Sequence, residues 1–286
     1  MQLRRFEPES DAGALRRFLV RGDPEDYLLA DLDAWTRVGR GWVGVDGDEW
    51  VAFGRLEELG RLEGWISAMR VDPGRQRSGL GKQLLGGLLA DAASLGLQSL
   101  RAVIEDRNEP SRRLFGALGF HESIPLSLRQ GLAVGTGSPS LRAARSSEVP
   151  TEVPYWAQLN SGLIDLLPGD GGGRFGTWHR SLASGWASEG KLFAAEELAV
   201  AVRPDWGTDP RTLWVVPVSG APERLFPALG GLCQTLGHEA WLGFLPGAEE
   251  FRHRLDRSGS AAYPAWGAHV HLFEREVPRP AVAPGA

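Results

Sequence analysis

Apolar residues recur with two different periods along this chain, and the switches between them mark its elements. Over residues 11–20, Leu15, Phe18 and Leu19 share one face and Arg16 and Arg17 the other, which predicts a short amphipathic helix with Ser10 as its cap. Asp23-Pro24 opens a second helix, with Leu28, Leu29, Leu32 and Trp35 at helical spacing and Gly39 and Gly41 at its end. Residues 42–45 and 50–56 read as a hairpin around Asp46-Gly47-Asp48. Strand alternation follows over residues 63–71, with Trp65, Ser67, Met69 and Val71 set against Ile66, Ala68 and Arg70. Asp72-Pro73-Gly74 stops that strand, and Leu80, Leu84, Leu85, Leu88 and Leu89 then trace a helix with one buried face, closed by Gly96. Residues 99–105 read as a buried strand. Asn108 caps a helix with Pro110 in its first turn and Gly119 at its end, and residues 120–132 are strand-like, interrupted at Pro125.

The pattern then starts again. Residues 134–140, VGTGSPS, have the composition of a linker, and Leu141-Arg142-Ala143-Ala144 parallels the opening Leu3-Arg4-Arg5-Phe6. Residues 148–167 are mostly helical but broken by prolines. Strands are expected over 192–202, 212–218, 240–245 and 269–273, with helices over 222–236 and 248–256. The expected domains are therefore residues 1–133 and 141–276, joined by 134–140 and followed by a proline-rich disordered tail over 277–286.

Chemistry concentrates between the strand at 63–71 and its helix. A glycine-bearing turn into a helix start leaves several backbone N–H groups unpaired and pointing one way, a nest for an anion that the helix dipole reinforces. Gly79 and Gly81 let a phosphate approach the backbone closely, and Arg75, Gln76, Arg77 and Lys82 surround them. An ordinary solvent-facing loop is the bland alternative. The stretch is not a P-loop, because Gln83 follows Gly81-Lys82, and it lacks the third glycine of a dinucleotide fingerprint.

Composition narrows the classes. A net charge of -5 argues against nucleic-acid binding by bulk charge, and 42% hydrophobic with 23% charged residues is ordinary for a globular protein. Cys233 is the one cysteine, so no internal disulfide forms and a cysteine zinc site is not expected. No apolar run reaches membrane-span length and the N-terminus lacks a signal-peptide core, so a cytoplasmic location is expected. Residues 168–173, PGDGGG, read as a surface loop and not a phosphate site. His269 and His271 alternate on an exposed strand face with no converging ligand set. Trp178, Trp186 and Trp206 read as core or interface, and Cys233 as a buried structural thiol.

Gln76-Arg77-Ser78-Gly79-Leu80-Gly81 resembles the Q/R-x-x-G-x-G/A motif of the GCN5-related N-acetyltransferases (GNAT). Residues 108–120, NEPSRRLFGALGF, are similar to that family's N-x-x-A-x-x-L-Y-x-x-L-G-F segment. The resemblance covers residues 1–132 and implies an α/β fold with a mixed sheet, here two acyl-CoA N-acyltransferase folds in tandem. It implies acetyl-CoA as co-substrate, no metal, and transfer of an acetyl group to a primary amine of a small molecule or peptide by a monomer or homodimer. Enzymes of the mycothiol synthase type share such a tandem layout in broad terms. A non-catalytic acyl-CoA-binding or regulatory protein is the alternative.

By that resemblance, acetyl-CoA meets Met69, Arg70, Val71, Gln76, Arg77, Ser78, Gly79, Leu80, Gly81, Lys82, Asn108 and Phe115. A backbone N–H of Met69 or Val71 polarises the thioester carbonyl. Glu63 and Glu105, with Asp106 next in line, are the candidates for the base. Many members carry a tyrosine where this chain has Phe115, so Ser111 or water is left to protonate the thiolate. In the second half, Val218-Ser219-Gly220-Ala221-Pro222 carries one glycine and no arginine before Glu223, so that half is expected to be degenerate.

Overall fold

The computed structural model describes residues 1–29, 32, 40–59, 62–134, 140–149, 180–203, 211–246, 260–262 and 269–278. In chain order the strands and α-helices are β1 (Gln2–Arg5), α1 (Pro8–Gly22), β2 (Arg40–Asp46), β3 (Glu49–Glu58), β4 (Glu63–Val71), α2 (Leu80–Ser94), β5 (Ser99–Glu105), α3 (Glu109–Ala117) and β6 (His121–Leu132). There follow β7 (Arg142–Ala143), α4 (Arg180–Ser188), β8 (Leu192–Ala195), β9 (Leu198–Arg203), β10 (Thr212–Ser219), α5 (Pro222–Leu236), β11 (Ala240–Pro246), β12 (Ala261–Ala262) and β13 (Val270–Glu276).

The chain divides into two compact units. Unit 1 is Met1–Val103, Asn108–Glu122 and Phe273–Ala286, and unit 2 is Ile104–Arg107 and Ser123–Leu272. In unit 1, β1 to β4 pair antiparallel in sequence order, and β5 joins β4 in parallel after the α2 crossover. On one face α1 supplies Leu15, Phe18 and Leu19 to a cluster with Phe6, Leu28, Val43, Phe53 and Ala68. α2 buries Leu84, Leu85 and Leu88 completely, as its leucine spacing predicts. Burying one such side chain stabilises the fold by about 1.5–3 kcal/mol.

Unit 2 repeats the plan. Its strands run in the order β6-β11-β10-β9-β8-β7, with β10 and β11 parallel across α5 and β12 set against β6. Leu225, Phe226, Leu229, Leu232 and Cys233 of α5 pack on Val200, Val202, Leu213, Val215 and Trp241. The repetition reaches single residues. Trp65 faces Glu57 on one side and Arg101 on the other at the end of the β4–β5 ladder, and Trp214 faces Arg203 and Leu242 at the end of the β10–β11 ladder.

Several boundaries differ from the sequence expectation. β1 carries too little alternation in its four residues to be read from sequence. α1 begins at Pro8, which fits the first turn of a helix, so Ser10 lies inside it and not at its cap. The strand expected over 192–202 is the β8–β9 hairpin, turned at Glu196 with φ +50°. β6 continues through Pro125. The compact units also cut the chain differently from the expected boundary at 134–140. Ser123 to Leu132 of β6 falls in unit 2, and the end of β13 falls in unit 1. There Glu274 meets Arg101 at 2.7 Å, Arg275 donates to the Leu118 carbonyl at 2.6 Å, and the Val277 N–H donates to the Gln98 carbonyl at 2.8 Å. Val277, at the start of the expected tail, is buried. The helix expected over 248–256, the PGDGGG loop, Trp35, Trp178, Trp206, residues 135–139 of the linker and residues 279–286 of the tail lie outside the described residues.

Candidate active site

β4 carries an irregularity that the alternation does not reveal. Its register with β3 runs Ala52↔Val71 and Phe53↔Arg70, then Arg55↔Ser67, so Ala68 and Met69 together face Gly54. Ala68 takes φ +55°, in the left-handed region that a non-glycine residue rarely adopts. This is a β-bulge, which bends and twists its strand. Gly54 makes room beside it, because a Cβ there would meet Leu84 and Leu88 of α2 at 3.2 Å. On the other side of β4, the ladder with β5 consists of Glu63↔Ser99, Gly64↔Leu100 and Trp65↔Arg101 and then ends. The two parallel strands part before the bulge, and the later residues of β4 have no β5 partner.

Residues 72–79 lead from β4 to α2. Asp72 accepts from the Gly74 N–H at 2.9 Å and starts the turn. Arg77 (φ +62°) and Gly79 (φ +86°) both take left-handed backbone on either side of Ser78, and Gly79 is the N-cap residue of α2. The first helical bond runs from the Gln83 N–H to the Gly79 carbonyl at 3.0 Å, so the Leu80, Gly81 and Lys82 amides have no carbonyl behind them. Nothing lies within 4 Å of where a Gly79 Cβ would stand, so the cradle is open on that side. A Gly81 Cβ would meet Leu114 at 3.2 Å, and this glycine serves the close approach of α3.

The cations expected around the nest divide into two sets. Arg75 is committed to the tip of the β2–β3 hairpin, where it pairs with Asp46 and, at 2.9 Å, with Glu49. Arg70 holds the buried Asp26 through two hydrogen bonds of 2.6 and 3.1 Å, leaving its backbone for any role at the strand end. Arg77 and Lys82 are exposed and form no ion pair among the described residues. Gln76 and Ser78 are exposed in the same loop, and Ser78 donates to the Arg75 carbonyl.

The remaining site residues are dispersed. Glu63 lies at the paired end of β4, about 26 Å along the strand from Val71 at 3.3 Å per residue. It is held by the buried Arg101 at 3.1 Å and is not brought to the nest. Glu105 belongs to unit 2 and pairs with Arg107 at 2.6 Å. Asp106, in the same unit, bonds His271 at 2.9 Å, so His271 is largely buried rather than on an exposed face. Asn108 caps α3 by accepting from the Ser111 N–H at 3.2 Å, which places Ser111 in the first turn. Phe115 is buried edge-on against Phe120 at 4.8 Å and Phe273 at 6.3 Å. Among the described residues no cluster of three or more His, Cys, Asp or Glu could hold a metal ion. No helix among them is long and apolar enough to cross a membrane.

The counterpart in unit 2 is different. Gly220 and Ala221 alone separate β10 from α5. A Cβ on Gly220 would fall 2.1 Å from Leu198, so that side chain fills the space beside the helix start. Arg224, in the first turn, pairs with Glu196 and lies 3.8 Å from Glu197. Carboxylates at this end oppose an anion.

Residues 13–120 match the acetyltransferase (GNAT) family model. This part of the chain belongs to the GNAT family. A mycothiol acetyltransferase of Actinosynnema mirum is 30% identical over 129 residues, covering 41% of this chain and 43% of that protein. An uncharacterized N-acetyltransferase of Bacillus subtilis, YsnE, is 32% identical over 88 residues, covering 30% of this chain and 58% of that protein. The chain thus spans about half the length of these curated relatives. A GCN5-related N-acetyltransferase of Sphaerobacter thermophilus aligns over 98% of this chain and 96% of its own, with TM-score 0.58 and 13% identity. A tandem GNAT protein from the clavulanic acid biosynthesis pathway aligns over 98% and 99%, with TM-score 0.54 and 14% identity. The chain therefore carries the GNAT fold twice, in tandem.

Proposed function

We propose that this protein is an acetyl-CoA-dependent N-acetyltransferase that moves an acetyl group to a primary amine of a small molecule or peptide. Its first GNAT fold would hold the co-substrate, and its second would keep the fold without the nest. The observation that carries this reading is the start of α2: an open left-handed Gly79, three unpaired amides, and the uncommitted charges of Arg77 and Lys82. Together they suit a pyrophosphate. The parted edge of β4 beyond Trp65 offers N–H groups at Met69 or Val71 for the thioester carbonyl. Acetyl-CoA supplies the activated acyl group, and the protein's contribution is chiefly to position the two reactants. The shrinkage of the loop from residues 72–79 in unit 1 to Gly220 and Ala221 in unit 2 supports degeneracy of unit 2, together with Leu198 and the Glu196 and Glu197 carboxylates.

Calorimetry with acetyl-CoA tests the reading. Wild type is expected to bind at one site per chain, and Arg77→Glu/Lys82→Glu to weaken binding at least about tenfold by reversing two exposed charges without touching the core. That pair is a cleaner test than replacing Gly81, where an added Cβ already crowds Leu114 at 3.2 Å. Two sites per chain would overturn the reading of unit 2. Acetylation of benzylamine, spermidine and an alanine tripeptide then separates an enzyme from a non-catalytic acyl-CoA-binding protein, the reading that the missing hydroxyl at Phe115 favours.

A further inference from the structure

Ser67 has a hydroxyl that the fold does not use. Its Oγ is sealed from solvent and has no hydrogen-bond partner, an arrangement that native structures rarely keep without a reason. Alanine at this place would leave no such orphan.

Its position points to the reason. Ser67 is two residues beyond Trp65↔Arg101, the last rung between β4 and β5, and one residue before the left-handed Ala68. It therefore lies where the parallel strands have parted. It stands directly across from Arg55, on the face where Arg55 holds the buried Glu57 at 2.7 Å. The opposite face of the bulge carries Met69, which gathers with Leu84 and Leu88 of α2 around Gly54. A co-substrate anchored at the start of α2 and a hydroxyl on the other face approach the gap from two sides. The residue as a whole is only half-buried, so Oγ has room to leave its sealed position by rotation about χ1 to another staggered well.

We propose that Ser67 is a catalytic residue of the acetyl transfer: Oγ accepts a hydrogen bond from the N–H of the neutral primary amine and aims its lone pair at the thioester carbon. The nitrogen–carbon bond forms as the carbon–sulfur bond breaks. One amine proton leaves to water and the departing thiolate takes one from water, so Ser67 starts and ends with its own proton. The inference rests on the acetyltransferase reading above.

Ser99 provides a matched control. Its hydroxyl is equally sealed and partnerless, but it lies opposite Glu63 at the closed end of the same pair of strands. Ser67→Ala, Ser67→Thr and Ser99→Ala are compared with wild type for acetyl-CoA affinity, Tm, and kcat and KM on benzylamine, spermidine and an alanine tripeptide. Ser67→Ala is expected to keep acetyl-CoA affinity and an equal or higher Tm, because an unsatisfied hydroxyl is removed, while kcat/KM for the amine falls about tenfold or more. Ser67→Thr restores part of that loss, and Ser99→Ala changes nothing. Unchanged kcat/KM in Ser67→Ala, a parallel loss of acetyl-CoA affinity or Tm, or an equal loss in Ser99→Ala overturns the inference. A wild type that binds acetyl-CoA but acetylates none of the amines overturns the transferase reading itself, and that result is read without any variant.

Discussion

Asp91 lies on the buried face of α2, at a position where the leucine spacing calls for an apolar side chain. Its carboxylate accepts from the Arg5 guanidinium and from Trp42 Nε1 at 2.9 Å, while Arg5 lies 4.6 Å over the Trp42 ring. Asp91→Ala removes the acceptor for both donors and is expected to cost about 1–3 kcal/mol in urea unfolding, with Asp91→Asn losing less because one oxygen remains. Burial alone pushes the Cys233 thiol up to about 12. In the unfolded chain the thiol ionises near about 8.5, so above that pH the unfolded state binds fewer protons and stability falls by up to about 1.4 kcal/mol per pH unit. Cys233→Ala is expected to flatten that decline between about pH 8.5 and 12, measured as Tm against pH in a reductant-containing buffer. Sequence made Cys233 legible as a buried thiol, because an apolar helix face is enough to predict it. It did not reveal Asp91's partners or Ala68's left-handed backbone, since alanine is no marker of that conformation and Arg5, Trp42 and Asp91 are far apart in the chain.

At the scale of elements, the loop over residues 72–79 owes its shape to contacts beyond itself. Arg75 ties it to Asp46 and Glu49 on the β2–β3 hairpin. These carboxylates are largely exposed, so solvent screens the pairs and they add little to stability. Arg75→Ala is therefore expected to leave Tm nearly unchanged and still weaken acetyl-CoA binding several-fold, because a looser loop must be ordered at each binding event. Equal losses of Tm and affinity would assign Arg75 to the fold alone. The nest itself was legible: glycines at 79 and 81, the strand stop at Asp72-Pro73 and the leucines of α2 agree at every level. The ties of Arg75 to Asp46 and Glu49 are not legible, because linear sequence shows a charge and not its partner. The place of Glu63 at the paired end of β4 is hidden for a similar reason, since a strand's two ends look alike until the rungs of its ladder are known.

For the whole molecule, tandem repetition was visible in the recurrence of strand and helix periods, and Trp65 and Trp214 repeat it at one register position. The strand membership of each unit was not visible. Residues adjacent in sequence usually pair, and the cut at 134–140 follows from that rule. Instead, unit 1 is completed by Phe273 to Val277 through Arg101, Leu118, Gln98 and Phe115. A chain ending at residue 272 strips Arg101 of Glu274 and uncovers Phe115. It is expected to lose cooperative unfolding of unit 1 in circular dichroism, and a 1–133 fragment to fail to bind acetyl-CoA. The same feature sets a timetable for biosynthesis. The nest emerges from the ribosome early, but its unit waits for the last strand through some 190 further residues, about 10–40 s at ordinary elongation rates. A truncated nascent chain would then carry the motif without a finished unit, which ties any chemistry at the nest to full-length synthesis.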